Sequence, residues 1–490
     1  MKKILAMALA LCMVLAMVPA TAMAEEVHTH CACAHAFTGL DADKCTDHNE
    51  AQTWTELDPA NLPNSGYYYL TADLVLTTQW KITGDLHLCT NGFDVTAGLD
   101  ESPANGWIRV DNGDTLTITN CKAQIANGKL VTTDPAKNSV FSGANGTGTF
   151  GAMFHANKDA TLKLYGVEVS DNTTSSTHTG GWGAGAVLAC DTGITVDIAY
   201  AAFCENSATA TTGGALALRG GIANIRNTTF SGNTAATNGG AIYMCNSVEV
   251  QMSNCTFTSN EAVYNGGAVY VGGGSFTASG TAFTGNKTTG TTNSTAGGAA
   301  LYLNSGTVTL TNATMTENEN NGLHGSAITK NTGDLTLNSC TITGNNSKSN
   351  QNRAGIVVIS NSGSTTVTGN TVITGNMNNS LEQNIFLRDT GSAATPKQPK
   401  LTVGALTSGA KMSIYTLSDL EPAAYLTATA QTPTFAANDE YLIYENRKDE
   451  ADKTYGIGYN GSALLHHCLL ALLINPFQTF LSHLQVVNIR

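Results

Sequence analysis

The chain has 490 residues, of which 12% are charged, and it carries 24 Lys and Arg against 37 Asp and Glu. A formal net charge of −13 without any Lys/Arg cluster argues against neutralisation of a phosphate backbone, and nucleic acid is not an expected partner. The 50 glycines, 10 prolines and 42% apolar residues favour strands and tight turns around a large core, and they exclude disorder caused by low hydrophobicity.

The first residues, 1–24, have the organisation of a secretory signal peptide. Lys2 and Lys3 precede an apolar run from Ile4 to Val18, and Ala22-Met23-Ala24 supplies the small residues of a cleavage site. No later segment reaches the roughly 18 apolar residues of a membrane-spanning helix. We therefore expect an exported protein, secreted or held at the cell surface, without an integral membrane span.

A Cys/His-rich segment, residues 25–65, follows the leader. Its candidate metal ligands are His28, His30, Cys31, Cys33, His35, Cys45 and His48. Four such ligands suffice for a structural zinc ion in tetrahedral coordination, although the spacing is not that of a C-x2-C finger. One alternative is a disulfide among Cys31, Cys33 and Cys45. The other is that these residues form neither a metal site nor a disulfide.

An internal repeat dominates the middle of the chain. Its first phrase ends in Asn and recurs at intervals of 34, 27, 27, 26, 32, 27 and 31 residues. The Asn positions are Asn172, Asn206, Asn233, Asn260, Asn286, Asn318, Asn345 and Asn376. The residue three positions before each Asn is apolar, in order Val169, Phe203, Phe230, Phe257, Phe283, Met315, Ile342 and Ile373. These two columns predict an interior apolar stack beside a ladder of hydrogen-bonded amides.

A second phrase of glycine and alanine follows each of the first six Asn positions. Its copies begin at Gly185, Gly213, Gly239, Gly266, Gly297 and Gly325, and Gly239-Gly240-Ala241-Ile242 is typical. Short runs with a period of two lie between the phrases, which indicates strands. A unit of about 27 residues cannot bury its own apolar face, so successive units must stack about 4.8 Å apart in parallel ladders. The pattern predicts an all-β parallel solenoid of about ten to twelve coils over residues 66–417.

The paired phrases Gly-Gly-Ala-Ile/Val/Leu and Phe-x-x-Asn, over about residues 150–380, resemble the repeats of chlamydial polymorphic membrane proteins and related surface proteins. The segments His28–Cys33, Gly66–Leu70 and Leu86–Gly92 are similar to the opening of secreted β-helix proteins from anaerobic gut firmicutes. The resemblance implies a single-stranded right-handed parallel β-helix of the pectin-lyase-like fold. It also implies an extracellular location and adhesive or carbohydrate-facing roles.

Many right-handed β-helices degrade polysaccharides, and such an activity requires paired carboxylates on neighbouring coils. Between Ile198 and Gly333 there is no aspartate, and the best pair is Asp171 and Glu205, each directly before a repeat Asn. On neighbouring coils these carboxylates are expected about 5 Å apart, the separation used by retaining glycosidases, with His155 or His178 nearby. Two solvated turn carboxylates, or a weak calcium site, are the alternatives.

A candidate binding surface lies two positions after the repeat alanine, where side chains are expected to face outward. That column is predicted to hold Leu188, Ala217, Tyr243, Tyr270, Leu301 and Thr329. Tyr243 and Tyr270 then form an exposed aromatic pair able to contact a sugar or a protein, with Arg219 and Arg226 as further donors. Ordinary cross-strand packing is the alternative.

The remaining segments are less regular. Residues 418–463 are more charged and are predicted to form a C-terminal cap, and the leucine-rich tail 464–490 is helix-prone. Cys255 and Cys340 share one template position, Cys190 and Cys245 another, and all are expected to be buried thiols rather than disulfides. The hypothesis is a monomeric, non-catalytic protein for adhesion or for binding a glycan or a host or neighbouring cell surface. A polysaccharide lyase or glycoside hydrolase, and a purely structural spacer, are the alternatives.

Overall fold

The structure is a computed structural model that describes residues 29–30, 52–98, 103, 105–134, 138–147, 153–176, 185–291, 296–348, 355–360, 362–379, 381–388, 399–407, 409–416, 426–428, 442–446, 454–459 and 464–468. Within these residues the regular secondary structure consists of β-strands, without any helix. The parallel strands wind into a right-handed solenoid of about ten turns. The predicted all-β parallel β-helix is therefore confirmed.

Each regular coil contributes one strand to each of four parallel ladders, named sheets 1 to 4 in chain order. In one coil these strands are Gly221–Arg226, Thr229–Ser231, Thr234–Ala235 and Ile242–Met244. Sheet 1 has the longest strands and sheet 3 has strands of two residues. The variable insertions of the repeat fall between sheet 3 and sheet 4, so they lengthen one loop without disturbing the ladders.

The strand bounds follow the four ladders. Sheet 1 comprises Thr55–Glu56, Gly66–Tyr69, Leu86–Cys89, Thr115–Thr119, Thr161–Tyr165, Ile194–Ala199, Gly221–Arg226, Glu249–Ser253, Ser275–Ser279, Thr307–Thr311, Asp334–Asn338, Thr365–Gly369, Leu401–Leu406 and Leu426–Ala428. Sheet 2 comprises Leu74–Leu76, Val95–Ala97, Val140–Ser142, Glu168–Ser170, Ala202–Cys204, Thr229–Ser231, Thr256–Thr258, Ala282–Thr284, Thr314–Thr316, Thr341–Thr343 and Val372–Thr374. Sheet 3 comprises Asn145–Gly146, Thr173–Thr174, Ser207–Ala208, Thr234–Ala235, Glu261–Ala262, Lys287–Thr288, Glu319–Asn320, Asn346–Ser347 and Met377–Asn378, to which Leu381–Glu382 adds antiparallel. Sheet 4 comprises Trp80–Ile82, Ile108–Val110, Phe154–Ala156, Leu188–Cys190, Leu216–Leu218, Ile242–Met244, Val269–Val271, Leu301–Leu303, Ile328–Lys330, Ile356–Val358 and Ile385–Leu387.

The carboxy-terminal end joins two of the ladders. Lys411–Thr416 pairs with the last strands of both sheet 2 and sheet 4, and Leu442–Asn446 adds parallel to it. Thr454–Tyr459 and Leu464–Cys468 then add antiparallel. The helical tendency predicted for the tail is wrong at residues 464–468, because pairing with an open sheet edge overrides local helix propensity.

The core is built from the inward side chains of sheets 1, 2 and 4. All eight apolar positions before the repeat Asn are fully buried, and each lies in register with the next. The rings of Phe203, Phe230, Phe257 and Phe283 stack with centroids 5.0, 4.8 and 4.8 Å apart. Such stacking adds about 0.5–1.5 kcal/mol per pair beyond the burial of area. The predicted interior stack is therefore present.

The repeat asparagines form a continuous ladder of side-chain amides. All eight are fully buried, and each Nδ2 donates to Oδ1 of the Asn in the next coil at 2.7–3.0 Å. The ladder ends on Asn384, whose Oδ1 accepts from Asn376 at 2.9 Å. Each Nδ2 also donates to a backbone carbonyl of sheet 2 in the preceding coil, as Asn233 does to Phe203 at 2.9 Å. The buried amides are thus satisfied along the solenoid axis, as predicted.

The glycine pair that precedes the sheet 4 strand in four consecutive coils is required by a close approach between coils. A Cβ on Gly240 would lie 2.0 Å from the carbonyl oxygen of Gly267 in the next coil. Gly239 has a φ of +67°, and its Cβ would lie 2.3 Å from the Ile242 carbonyl oxygen. Glycine, which has no Cβ, permits both the close approach of the neighbouring coil and the positive φ.

One irregular segment leaves the solenoid and crosses several coils. This segment, residues 120–134, is called the strap and contains the antiparallel hairpin Ile125–Ala126 and Lys129–Leu130. Ile125 packs against Tyr165 and Tyr200. Lys129 Nζ donates to the carbonyl oxygens of Thr228, at 3.3 Å, and Asn254. The strap therefore covers the border between sheets 1 and 2 over several coils.

The core cysteines behave as small apolar residues. Cys255 and Cys340 are thiols and fully buried, and burial raises the pKa of each. Ala189 pairs in register with Ala217, and Ala217 pairs with Tyr243. The next residue, Cys190, therefore corresponds to Met244 and not to Cys245, so the shared template position predicted for Cys190 and Cys245 is wrong by one residue.

Candidate functional site

The outer face of sheet 4 carries a column of three tyrosines on consecutive coils. Tyr243 pairs in register with Tyr270, and Tyr270 pairs with Tyr302. Their rings stack with centroids 5.2 and 5.6 Å apart and interplanar angles of 5° and 10°. Tyr243 and Tyr270 are partly buried, whereas Tyr302 is only 3% exposed. Burial raises the pKa of all three phenols, which therefore stay neutral and keep their O–H donors.

The column differs from the predicted one in two coils. Leu188 and Leu301 point into the core and are fully buried. The residues in register with the tyrosine column in these two coils are Ala189 and Tyr302 instead. The error arises because the strands of these two coils start one residue later relative to the repeat alanine. The alternation Leu301-Tyr302-Leu303, which matches Val269-Tyr270-Val271, is the signal that identifies the third tyrosine.

The stacking geometry decides which parts of the rings meet solvent. Because the rings lie face to face down the axis, the faces of Tyr270 are occupied by its neighbours. At the two ends of the column Ala217 is 2% exposed and Thr329 is fully buried, so neither end opens onto a wide platform. Tyr243 and Tyr270, the partly buried members of the column, therefore offer ring edges and phenol groups to a ligand, rather than an open aromatic face.

The two arginines predicted beside the tyrosines lie in different sheets. Arg219 directly follows a sheet 4 strand, and its Nη1 is 3.5 Å from Asp191 Oδ1. Arg226 lies in sheet 1, where it forms an ion pair with Asp197 and sits over the Tyr165 ring at 6.0 Å. Arg226 is therefore not part of the tyrosine surface, because strands adjacent in sequence occupy different sides of the coil.

The Cys245 thiol lies at the edge of the tyrosine column. It is hydrogen-bonded to the Tyr243 side chain. Burial raises the pKa of this thiol although Arg219 and the Tyr243 hydrogen bond act in the opposite direction. The contact fixes the phenol of Tyr243 at the rim of the column.

The candidate carboxylates Asp171 and Glu205 occupy equivalent turns of adjacent coils. Each follows a sheet 2 strand, and the preceding residues Ser170 and Cys204 pair in register. Both are exposed and have left-handed backbones, with φ of 56° and 53°. The same turn in later coils holds residues with positive φ, namely Gly232, Ser259, Gly285, Glu317, Gly344 and Gly375. The residue at this position therefore has to adopt a left-handed backbone conformation to form the turn, whatever its side chain is.

The side chains around these two turns are acidic. Burial raises the pKa of the Cys204 thiol to about 12, and Glu168, Glu205 and Asp171 add to the effect. Burial also raises the pKa of Glu168, although Asn138 donates a hydrogen bond to it. In the described residues no group of three or more His, Cys, Asp or Glu is arranged to hold a metal ion.

The histidines proposed near the carboxylates do not join them in one described site. His155 lies in sheet 4, in register with Arg109, whereas Asp171 follows a sheet 2 strand. His155 is 5% exposed, and burial, together with Arg109, lowers its pKa to about 4. His178 lies outside the described residues.

The amino-terminal Cys/His cluster is almost wholly outside the described residues. Only the backbone of Thr29–His30 is described, and it pairs antiparallel with Gln52–Thr53. The zinc and disulfide alternatives for His28, Cys31, Cys33, His35, Cys45 and His48 stay predictions.

Comparison with known proteins identifies the repeat. The sequence model of the Chlamydia polymorphic membrane protein repeat matches residues 227–244 and 254–272, which confirms the resemblance seen in the repeated phrases. Each matched segment runs from the turn before a sheet 2 strand to the sheet 4 strand of the same coil, or one residue beyond it. No curated protein and no solved structure matches the chain.

The repeat indicates display at a cell surface or outer membrane. In the described part of the chain, no helix has the length and hydropathy needed to cross a bilayer.

Proposed function

We propose that this chain, whose coils carry the Chlamydia polymorphic membrane protein repeat, is displayed at a cell surface and binds an uncharged glycan of a host or neighbouring cell without turning it over. The observation that carries the proposal is the in-register column of Tyr243, Tyr270 and Tyr302 on the outer face of sheet 4. The column includes Tyr243 and Tyr270, one from each matched repeat, and extends one coil beyond them.

The chemistry of the column suits a hydroxyl-rich ligand. Tyrosine supplies contact area with few rotatable bonds, and its phenol both donates and accepts hydrogen bonds. Here the rings are already ordered by stacking, so little conformational entropy remains to be lost on binding. Neutral phenols and ring edges at coil spacing provide a repeating set of contacts for a repeating sugar chain.

Charge favours an uncharged over an acidic glycan. The net charge of the chain is −13, which opposes a polyanion. Arg219, which follows a sheet 4 strand, is engaged by Asp191, and Arg226 lies on another side of the coil. An acidic sugar at the column would have to compete with Asp191 for Arg219.

A glycan array probed with the mature chain tests the proposal. The double variant Tyr243→Ala/Tyr270→Ala is expected to lose binding by about tenfold or more, since buried aromatics dominate binding energy. The double variant Tyr243→Phe/Tyr270→Phe keeps the stacked rings. It is expected to lose only the part of the glycan affinity that comes from hydrogen bonds of the phenol hydroxyls. Ile222→Ala, at a 43% exposed position on the outer face of sheet 1, is the matched control and should bind normally.

The same experiment separates the alternatives. Unchanged binding in the double alanine variant, with an unaltered circular dichroism spectrum, would contradict the tyrosine column as the binding site. Absence of binding by the wild-type chain to every glycan of the array would favour a structural spacer. Release of unsaturated or reducing sugar from a polysaccharide panel, abolished by Asp171→Asn, would contradict the non-catalytic part and favour the polysaccharide-degrading enzyme.

A further inference from the structure

Two cysteines on adjacent amino-terminal coils come together where the strap leaves sheet 1. Cys89 is the last residue of Leu86–Cys89 and pairs in register with Thr119. After Thr119 the chain turns at Asn120, with Ala123 N donating to the Asn120 carbonyl oxygen at 3.1 Å. This turn carries Cys121 back towards the preceding coil.

The two thiols lie close enough to affect each other's acidity. A hydrogen bond with Cys89 is the largest of the effects that lower the pKa of Cys121, whose Sγ also donates to Asn91 Oδ1 at 3.5 Å. Both residues are thiols in this structure. Cys89 lies in register with Thr119, and Cys121 Sγ reaches the side chain of Asn91, two residues after Cys89, so the two cysteines lie at the same end of neighbouring sheet 1 strands.

The environments of the two sulfurs differ. Cys89 is fully buried, whereas Cys121 is exposed and can be reached by an oxidant. The hydrogen bond from Cys89, with a contribution from Lys122, lowers the pKa of Cys121, while burial raises the pKa of Cys89. A more acidic, accessible thiol beside a buried one is the arrangement of an attacking and a resolving cysteine.

We propose that Cys89 and Cys121 are a site of oxidative modification that forms a disulfide between adjacent coils and pins the start of the strap to the solenoid. The oxidant is a small-molecule disulfide or a disulfide-bearing oxidoreductase. The Cys121 thiolate attacks one sulfur of the oxidant, forms a mixed disulfide and releases the first oxidant thiol. The Cys89 sulfur then attacks Cys121 Sγ and expels the second. Two electrons pass to the oxidant, and both protons leave on its two thiols.

Oxidation of the native mature chain with glutathione disulfide tests the proposal. Tryptic cleavage separates the two cysteines into peptides 82–109 and 110–122, each with one cysteine. The wild-type chain should yield these two peptides cross-linked, with a mass about 2 Da below their sum, and lose two titratable thiols. Cys121→Ser should abolish the cross-link, and Cys245→Ser should retain it.

A second variant keeps the test decisive. In Cys89→Ser the reaction should stop at glutathione bound to Cys121, because no resolving thiol remains. If that variant does not fold, the wild-type and Cys121→Ser chains still decide the question. A persistent mixed disulfide at Cys121 in the wild-type chain, two unreacted thiols, or a cross-link formed only in denaturant would each overturn the proposal. Loss of glycan binding in the tyrosine variants would be independent of all these outcomes.

Discussion

The side chains of Asn206 and Asn233 are separated by 27 positions in sequence and joined by a hydrogen bond of 3.0 Å from Nδ2 to Oδ1. Both are fully buried, and Asn206 N donates to the same oxygen at 3.2 Å. Each Oδ1 of the ladder therefore accepts two hydrogen bonds, one from the backbone N–H and one from the Nδ2 of the preceding repeat Asn. Replacement of one Asn consequently affects its own coil and the two coils beside it.

Replacement of Asn233 by leucine is expected to lower the free energy of unfolding by about 3 kcal/mol or more. The substitution removes the acceptor of the Asn206 backbone N–H and of one Asn206 Nδ2–H, and an unpaired buried donor costs about 1–3 kcal/mol. It also leaves Asn260 Oδ1 with only the backbone N–H of residue 233. The midpoint of urea unfolding, followed by circular dichroism, measures the effect. Asn265→Ala is the control, since Asn265 is partly buried and has one side-chain donor bond, to Asn238. Equal losses in both variants would contradict the role of the ladder.

Truncation of Phe257 tests the interior stack. Phe257→Ala should cost about 3–5 kcal/mol, because the cavity lies between two stacked rings. Phe257→Leu should cost only about 1 kcal/mol, since the same column accepts Met315 and Ile342 in later coils. Thermal unfolding of the two variants compares them, and an equal loss would show that the column is not tightly packed.

Gly240→Ala is expected to destabilise the chain by more than about 2 kcal/mol. The added methyl group meets the Gly267 carbonyl oxygen of the next coil, and backbone atoms on both sides must move. Gly344→Asn is the matched control, because a Cβ there meets nothing within 4 Å and asparagine tolerates the left-handed φ of +67°. Urea midpoints of the two variants should differ clearly, and similar values would refute a close contact between coils.

His155 makes stability depend on pH in the acidic range. Its pKa is about 4 in the folded chain, lowered by burial and Arg109 against the opposing effect of Asp191 and Asp111, from an ordinary value of 6.5. Because the folded value is the lower one, the stabilisation is complete above about pH 6.5 and is lost as the pH falls towards 4. Between pH 7 and pH 5 the loss should be about 2 kcal/mol.

The variant His155→Gln isolates this contribution from other titrating groups. Thermal midpoints of wild type and variant, measured at pH 7, 6 and 5, should converge as the pH falls. Parallel curves would exclude His155 as the group responsible.

The columns of the regular coils could be predicted because their residues repeat. Phe230 and Asn233 recur with the same three-residue spacing, so stacking follows from sequence alone. Tyr302 was missed because Ala299-Ala300 leaves two choices of register, and only the alternation after it decides between them. A one-residue shift turns an outward side chain inward.

The strap and the thiol pair could not be predicted in the same way. The strap occurs once, so no repeat identifies it, although Asn127-Gly128 is a strong hairpin signal and both residues have positive φ. Cys89 and Cys121 do not share a template position. Their contact depends on the turn at Asn120, which is a tertiary feature rather than a periodic one.

The amide ladder also gives the molecule an adjustable length. Its bonds all run in one direction along the axis, and every rung presents the same donors and acceptor to its neighbours. Excision of one repeat, such as residues 234–260, would bring Asn233 next to Asn286 with matching partners on both sides. Gene duplication or loss of single coils can therefore change the length of the solenoid while every remaining rung of the ladder keeps the same kinds of partners.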